Sequence, residues 1–115
     1  MRREILLVAE MIRAAERVHA LVADLDLASF EADVLRQDAL LWNFTVMGEA
    51  ATQLDPVVRT RFPEIAWAQP ARLRNRVVHG YWSIDLEILH TTATDLLPQL
   101  IEQLRDVLTA LRSEQ

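Results

Sequence analysis

Every apolar period in this chain is helical, and no stretch alternates apolar with polar residues as a half-buried strand must. A sheet is thereby excluded, and the chain is predicted to be all-α. Ile5, Val8, Ile12, Ala15 and Val22 recur at helical spacing and predict a first helix over residues 5–25, with Glu4, Glu10, Arg13, Glu16 and Arg17 off the stripe. His19 falls on that stripe, where a histidine is expected to pack or to meet a partner. Residues 26–29 break the pattern. Ser29, followed by Glu31 and Asp33, is the expected N-cap of a second helix with acids in its first turn, reaching about residue 54.

That second helix carries two apolar rows. Leu40, Phe44, Met47, Ala51 and Leu54 form one, and Leu35, Ala39, Trp42, Val46 and Ala50 form the other. A helix apolar on both sides needs two partners: the fold's own core, and for the Trp42 row most simply a second subunit, the alternative being burial of both rows within the bundle. Gly48 in mid-helix costs roughly 1 kcal/mol against alanine, which a close approach of another helix would justify.

Asp55-Pro56 permits a restart, because proline is tolerated in a first helical turn, and a short third helix to about residue 61 follows. Phe62, Ile65 and Trp67 then anchor a turn. A fourth helix is predicted from about residue 70 to 79, starting near Ala68 or Gln69. Ser83, with Asp85 and Glu87 behind it, is the candidate cap of a last helix along Leu89, Ala93, Leu96, Leu100, Leu104, Val107 and Leu111, kinked at Pro98. His90 reads as a surface or packing histidine. The expected fold is an up-and-down bundle of four main helices plus one short helix, a single domain over residues 1–115.

Within that bundle the chemistry gathers in Arg74-Asn75-Arg76-Val77-Val78-His79-Gly80-Tyr81. Gly80 is one of two glycines in the chain, and the expectation is that it takes the left-handed position that ends a helix. Arg74 and His79, five residues apart, differ by roughly 140° around a helix and cannot share one face. Asn75 lies four residues before His79 on one face, where its amide could select the imidazole tautomer. Tyr81 is expected to point into the same cleft, with burial as an anchor of the last helix as the alternative.

Arginine, four residues, histidine, one residue, tyrosine, opening with Arg74-Asn75 and followed by Ile84-Asp85-Leu86-Glu87, resembles the HepT branch of the HEPN domains. Asn43-Phe44, Gly48-Glu49-Ala50, and Phe62-Pro63-Glu64-Ile65 with Trp67 resemble that family's other segments in the same order, so the likeness spans most of residues 35–105. Asn43 and Glu49 match motif positions, but are equally readable as packing and ion-pair residues. The chain departs from the family at Ala66, where proline is expected, and at Pro70, where it is not. The resemblance implies the toxin of a toxin-antitoxin pair, a metal-independent ribonuclease whose active site forms across a homodimer. It further implies a nucleotidyltransferase antitoxin that adenylylates Tyr81.

The residues themselves fit RNA cleavage. His79 can exchange protons at neutral pH, Arg74 can hold a phosphate through its planar fork, and Asn75, Arg76 and Tyr81 stand as supporting groups. With no cysteine and three scattered histidines, no metal or other cofactor is expected. A net charge of -5 argues against nucleic acid at first sight. All twelve basic residues are arginine, however, and Arg59, Arg61, Arg72, Arg74 and Arg76 face only Glu64 as an acid in their stretch, which makes a local basic patch. No membrane-length apolar run or signal-peptide core appears, and a cytoplasmic location is expected. Two other readings stay open: a non-catalytic module binding a nucleotide or transferase in the same arginine-rich cleft, and a purely structural helical protein.

Overall fold

The computed structural model describes residues 2–80 and 84–115, and among these it contains helices and connecting turns but no strand. Four long helices make an up-and-down HEPN-like bundle: α1 (Arg2–Val22), α3 (Val34–Gln53), α5 (Ala68–Gly80) and α7 (Leu97–Ser113). Three short segments, α2 (Leu27–Glu31), α4 (Pro56–Arg61) and α6 (Leu86–Thr91), turn the chain between them. Helix α1 packs against α3 and α7, and α3 against α5. The core runs along the first three, with Val8, Met11, Val18, Leu40, Met47, Leu104 and Leu111 fully buried.

Two helices differ from the sequence expectation because aspartates intervene. Helix α1 stops at Val22, and Asp24 takes a left-handed φ of 59°, which its short polar side chain tolerates. The segment expected to be one helix from Ser29 is two. Asp26, not Ser29, caps α2 by accepting the Ser29 N–H at 2.8 Å, and Asp33 caps α3 by accepting the Arg36 N–H at 3.1 Å. An aspartate carboxylate competes with the helical ladder for nearby N–H groups, and so favours caps over interiors. The break lets Phe30 plug the core, while Gln37 donates to the carbonyls of Phe30 and Glu31 at 2.9 and 3.1 Å.

The first helix holds two further corrections. Glu4, expected off the stripe, is buried, and its Oε2 accepts the Asp55 N–H at 3.3 Å. His19, expected to pack or to meet a partner, is exposed, so it does not pack within the chain. Helix α4 restarts at Pro56, as the sequence predicts, with Asp55 as its cap, and Ile65 and Trp67 are buried, Trp67 Nε1 donating to the Phe62 carbonyl at 2.8 Å.

At the last helix the irregularity expected at Pro98 takes the form of a π turn, Thr92–Leu96, just before α7. Proline lacks an N–H and crowds the preceding turn, so the ladder is interrupted upstream of it. The extra residue in the turn shifts the register: Leu97 is buried at 2 % exposure and Leu96, expected in the core row, stands out at 54 %. Asp85 caps α6 by accepting the Glu87 and Ile88 N–H groups. Ser83, the expected cap, lies outside the described residues.

Candidate functional site

The site is built where α5 crosses α3. Gly48 permits the crossing: a Cβ there would lie 2.4 Å from the Pro70 carbonyl oxygen and 2.6 Å from Arg74 Cβ, distances that no side chain can occupy. The expected close approach is therefore real, and it seats Arg74 directly on the neighbouring turn of α3. Arg74 Nη1 donates to Glu49 Oε2 at 3.0 Å, and Nη2 donates to Asn75 Oδ1 at 2.8 Å. Its Nε is buried and has no hydrogen-bond partner among the described residues. Asn75 thus turns its oxygen to Arg74 and not to His79, because a guanidinium beside it is a stronger donor than an imidazole four residues away.

His79 is exposed in the last turn of α5, which continues through Gly80. Gly80 has no positive φ, so it does not act as the expected left-handed terminator. Continuous helix keeps Arg74 and His79 roughly 140° apart, and the chain does not bring them onto one face. What it does bring together is Arg72, Arg76 and His79, at spacings of four and three residues along the outer side of α5, all three exposed. Of the five arginines of the basic stretch, Arg74 is paired with Glu49, and Arg61 forks onto the Glu114 carboxylate while lying over the Phe62 ring. Arg59, Arg72 and Arg76 form no ion pair among the described residues. Tyr81 lies outside the described residues.

Behind Arg74 stands a polar network that the sequence showed only in part. Gln53 Nε2 donates to Glu49 Oε1 at 3.1 Å, a spacing of four along one helix that is legible in the chain. Arg3 completes it from fifty residues away, donating to the Gln53 carbonyl oxygen at 2.8 Å and to Gln53 Oε1 at 3.4 Å. Asn43, the other motif residue of α3, is buried and donates to the Ala39 carbonyl at 2.8 Å, a packing role.

Beside this network the second apolar row of α3 is only partly covered. Ala50 is buried, but Leu35 is 81 % and Trp42 67 % exposed, and a groove of about 320 Å³ runs between α1 and α3 past Leu7, Trp42, Val46 and Glu49. His90 packs away from the site, its Nε2 at 2.6 Å from the Leu25 carbonyl oxygen and its ring against Phe30, in keeping with a packing histidine. Among the described residues no group of three or more histidine, aspartate or glutamate side chains is placed to hold a metal ion, and no helix is long and apolar enough to cross a membrane.

Residues 11–107, and so the whole of α3 and α5, match the family described as Ribonuclease HepT-like. The chain is 26% identical over 91 residues to a Thermococcus cleftensis protein named as a probable ribonuclease HepT, covering 79% of this chain and 83% of that one. It is also 26% identical over 91 residues to a Methanocaldococcus jannaschii protein provisionally named an RNase, covering 79% and 75% of the two chains. A Caldanaerobacter subterraneus protein, again provisionally named an RNase, is 23% identical over 87 residues, 76% of this chain and 78% of its own. No solved structure gives a significant match.

Proposed function

Because the chain belongs to the HepT-like ribonuclease family, we propose that it is a metal-independent endoribonuclease working as a homodimer, the toxin of a toxin-antitoxin pair. The observation that carries this reading is the seating of Arg74. A guanidinium held by Glu49 and Asn75 on a helix crossing is an oriented cation of the kind that phosphate chemistry needs. In the reaction proposed, a base removes the 2′-hydroxyl proton and the 2′-oxygen bonds to phosphorus. The bond from phosphorus to the 5′-oxygen then breaks, and an acid protonates that leaving oxygen. His79 serves as proton carrier and Arg74 stabilises the charge gathering on the phosphoryl oxygens. Arg72 and Arg76, beside His79 on the outer side of α5, fit a role in holding the RNA backbone on a protein whose net charge is -5.

One histidine per chain must act as both acid and base, and Arg74 and His79 face apart within a chain. A dimer resolves both difficulties by supplying a second motif. The exposed Leu35 and Trp42 and the groove beside Glu49 support the Trp42 side of α3 as the interface. The resemblance adds control: a partner nucleotidyltransferase would attach AMP to Tyr81, placing phosphate near Arg74 and His79 in competition with RNA. Mapping the modified peptide after incubation with that transferase and ATP tests this, and activity surviving full modification of Tyr81 would refute it.

Arg74→Ala and His79→Ala should each abolish RNA cleavage and growth inhibition while leaving helix content unchanged, and a chelator should leave cleavage by the wild-type protein intact. Undiminished toxicity in either variant sinks the catalytic reading. Trp42→Glu should sediment as a folded monomer and lose activity. The separation of Arg74 from His79 within one chain favours a second reading, a non-catalytic nucleotide- or transferase-binding module. Wild-type protein that bound RNA without cutting it would establish that reading instead.

A further inference from the structure

We propose that Arg3, Gln53 and Glu49 form a relay that fixes the guanidinium plane of Arg74, which makes all three positioning residues for the site; this rests on the reading of Arg74 as the phosphate-binding cation. The contacts are continuous from one end of the chain to the motif. Arg3 donates to both oxygens of Gln53, its main-chain carbonyl and its Oε1. The amide nitrogen of Gln53 then donates to one oxygen of Glu49, whose other oxygen receives Arg74 Nη1. The order of charges fixes the Gln53 amide, since its oxygen must face the cation of Arg3 and its nitrogen the carboxylate of Glu49. Arg3 is anchored in turn. Its Nη1 lies 3.2 Å from Glu4 Oε2, and Glu4 is buried against the Asp55 N–H at the start of α4.

Two features favour bracing over a carboxylate that merely occupies the place of a substrate phosphate. A plug that RNA displaces would be free to swing, whereas Glu49 is held at both oxygens. The guanidinium is also left with donors to spare. Among the described residues Glu49 takes one of its five N–H bonds, Asn75 takes one and the Nε–H is buried, so two Nη hydrogens meet no partner there and remain for a ligand. Two N–H groups on a fixed plane suit the paired oxygens of a phosphodiester, and a guanidinium free to rotate would lose that match.

The test uses the full chain, an RNA oligonucleotide substrate, and the exchange of the Arg74 Nε–H followed by NMR. Glu49→Ala should lower kcat on the order of 10²-fold with little change in KM, the scale expected when a reacting group is misplaced by about 1 Å. Gln53→Ala and Arg3→Ala should lower it less. Glu49→Gln should recover part of the loss, because its amide oxygen still accepts from Nη1. Arg105→Ala, which removes a comparable surface pair with Glu16 on another face, should change nothing. Each relay variant should also speed exchange of the buried Nε–H. A rise in kcat for Glu49→Ala would show a plug and overturn the relay, as would Gln53→Ala and Arg3→Ala variants with wild-type kcat and exchange. If wild-type protein cuts no RNA, the ribonuclease reading fails separately. The relay is then decided by exchange alone, faster in the variants if it exists and unchanged if it does not.

Discussion

Arg74 and His79 stand five residues apart on one helix, yet one is locked and the other open. Arg74 sits at the crossing that Gly48 makes, ion-paired to Glu49, hydrogen-bonded to Asn75, and backed through Gln53 by Arg3. His79 is exposed in the last turn, and no hydrogen bond ties its ring to another described residue. The difference follows the chemistry each would perform. A cation that stabilises developing charge contributes most when it is fixed beforehand, since its reorganisation is then complete before the reaction starts. A proton carrier must instead reach its substrate, and the exposure of His79 suits that proposed role.

The locked half breaks most readily at Gly48. Gly48→Ala forces a methyl group into the Pro70 carbonyl and Arg74 Cβ, and the clash with backbone cannot be relieved by rotating a side chain. Overpacking of this kind costs about 1–3 kcal/mol, and thermal melting should register it. The same variant should lose RNA cleavage beyond what the fall in stability explains, because α5 moves with Arg74 on it. A variant as stable and active as the parent would mean that the two helices are not in contact there.

The open half should respond in the opposite direction. Gly80 is helical with no positive φ, so Gly80→Ala is expected to raise stability by about 0.5–1 kcal/mol through the lower backbone entropy of the unfolded chain. A left-handed Gly80 would instead make the alanine variant less stable. Melting curves of the Gly48 and Gly80 variants, read together, thus test the contrast with one substitution chemistry.

The smallest effect concerns ties outside α5 made by exposed groups. The Ser29 backbone N–H, first among its causes, lowers the Asp26 carboxyl below its ordinary value of 3.8, and Arg61 lowers Glu114 below 4.5 through their hydrogen bond. A carboxylate whose pKa is lower folded than unfolded contributes stability above its unfolded pKa, and that contribution is lost as pH falls through the folded one. Acid titration should therefore loosen the C-terminal turn as pH falls below 4.5 and α2 as it falls below 3.8. In Asp26→Asn and Glu114→Gln the acid limb of the stability profile should flatten, and an unchanged limb would show that neither tie matters.

Much of this was legible in the chain because it depends on spacing along one helix. The core row Leu40, Phe44, Met47, Ala51 and Leu54 is buried as its period requires, α4 starts at Asp55-Pro56, and Gly48 marks a close approach. Helix ends were less legible. Asp33 and Asp85 could each be read as first-turn acids or as caps, and Asp26 as part of a break, and only the competition among nearby N–H groups decided for capping. The π turn before Pro98 escaped for a related reason. One additional residue in a turn moves every later side chain by about 100°, and nothing in the period of the sequence announces it.

The sequence by itself determined the helical class, the rows that form the core, and the family to which residues 11–107 belong, since all three rest on residue type and spacing. Tertiary structure alone decided the environment of Arg74. Its partner Glu49 is 25 positions away, and Arg3 reaches Gln53 across 50. No local pattern fixes such distances, because they are set by the angle and depth at which packed helices cross, and here by a missing Cβ at Gly48.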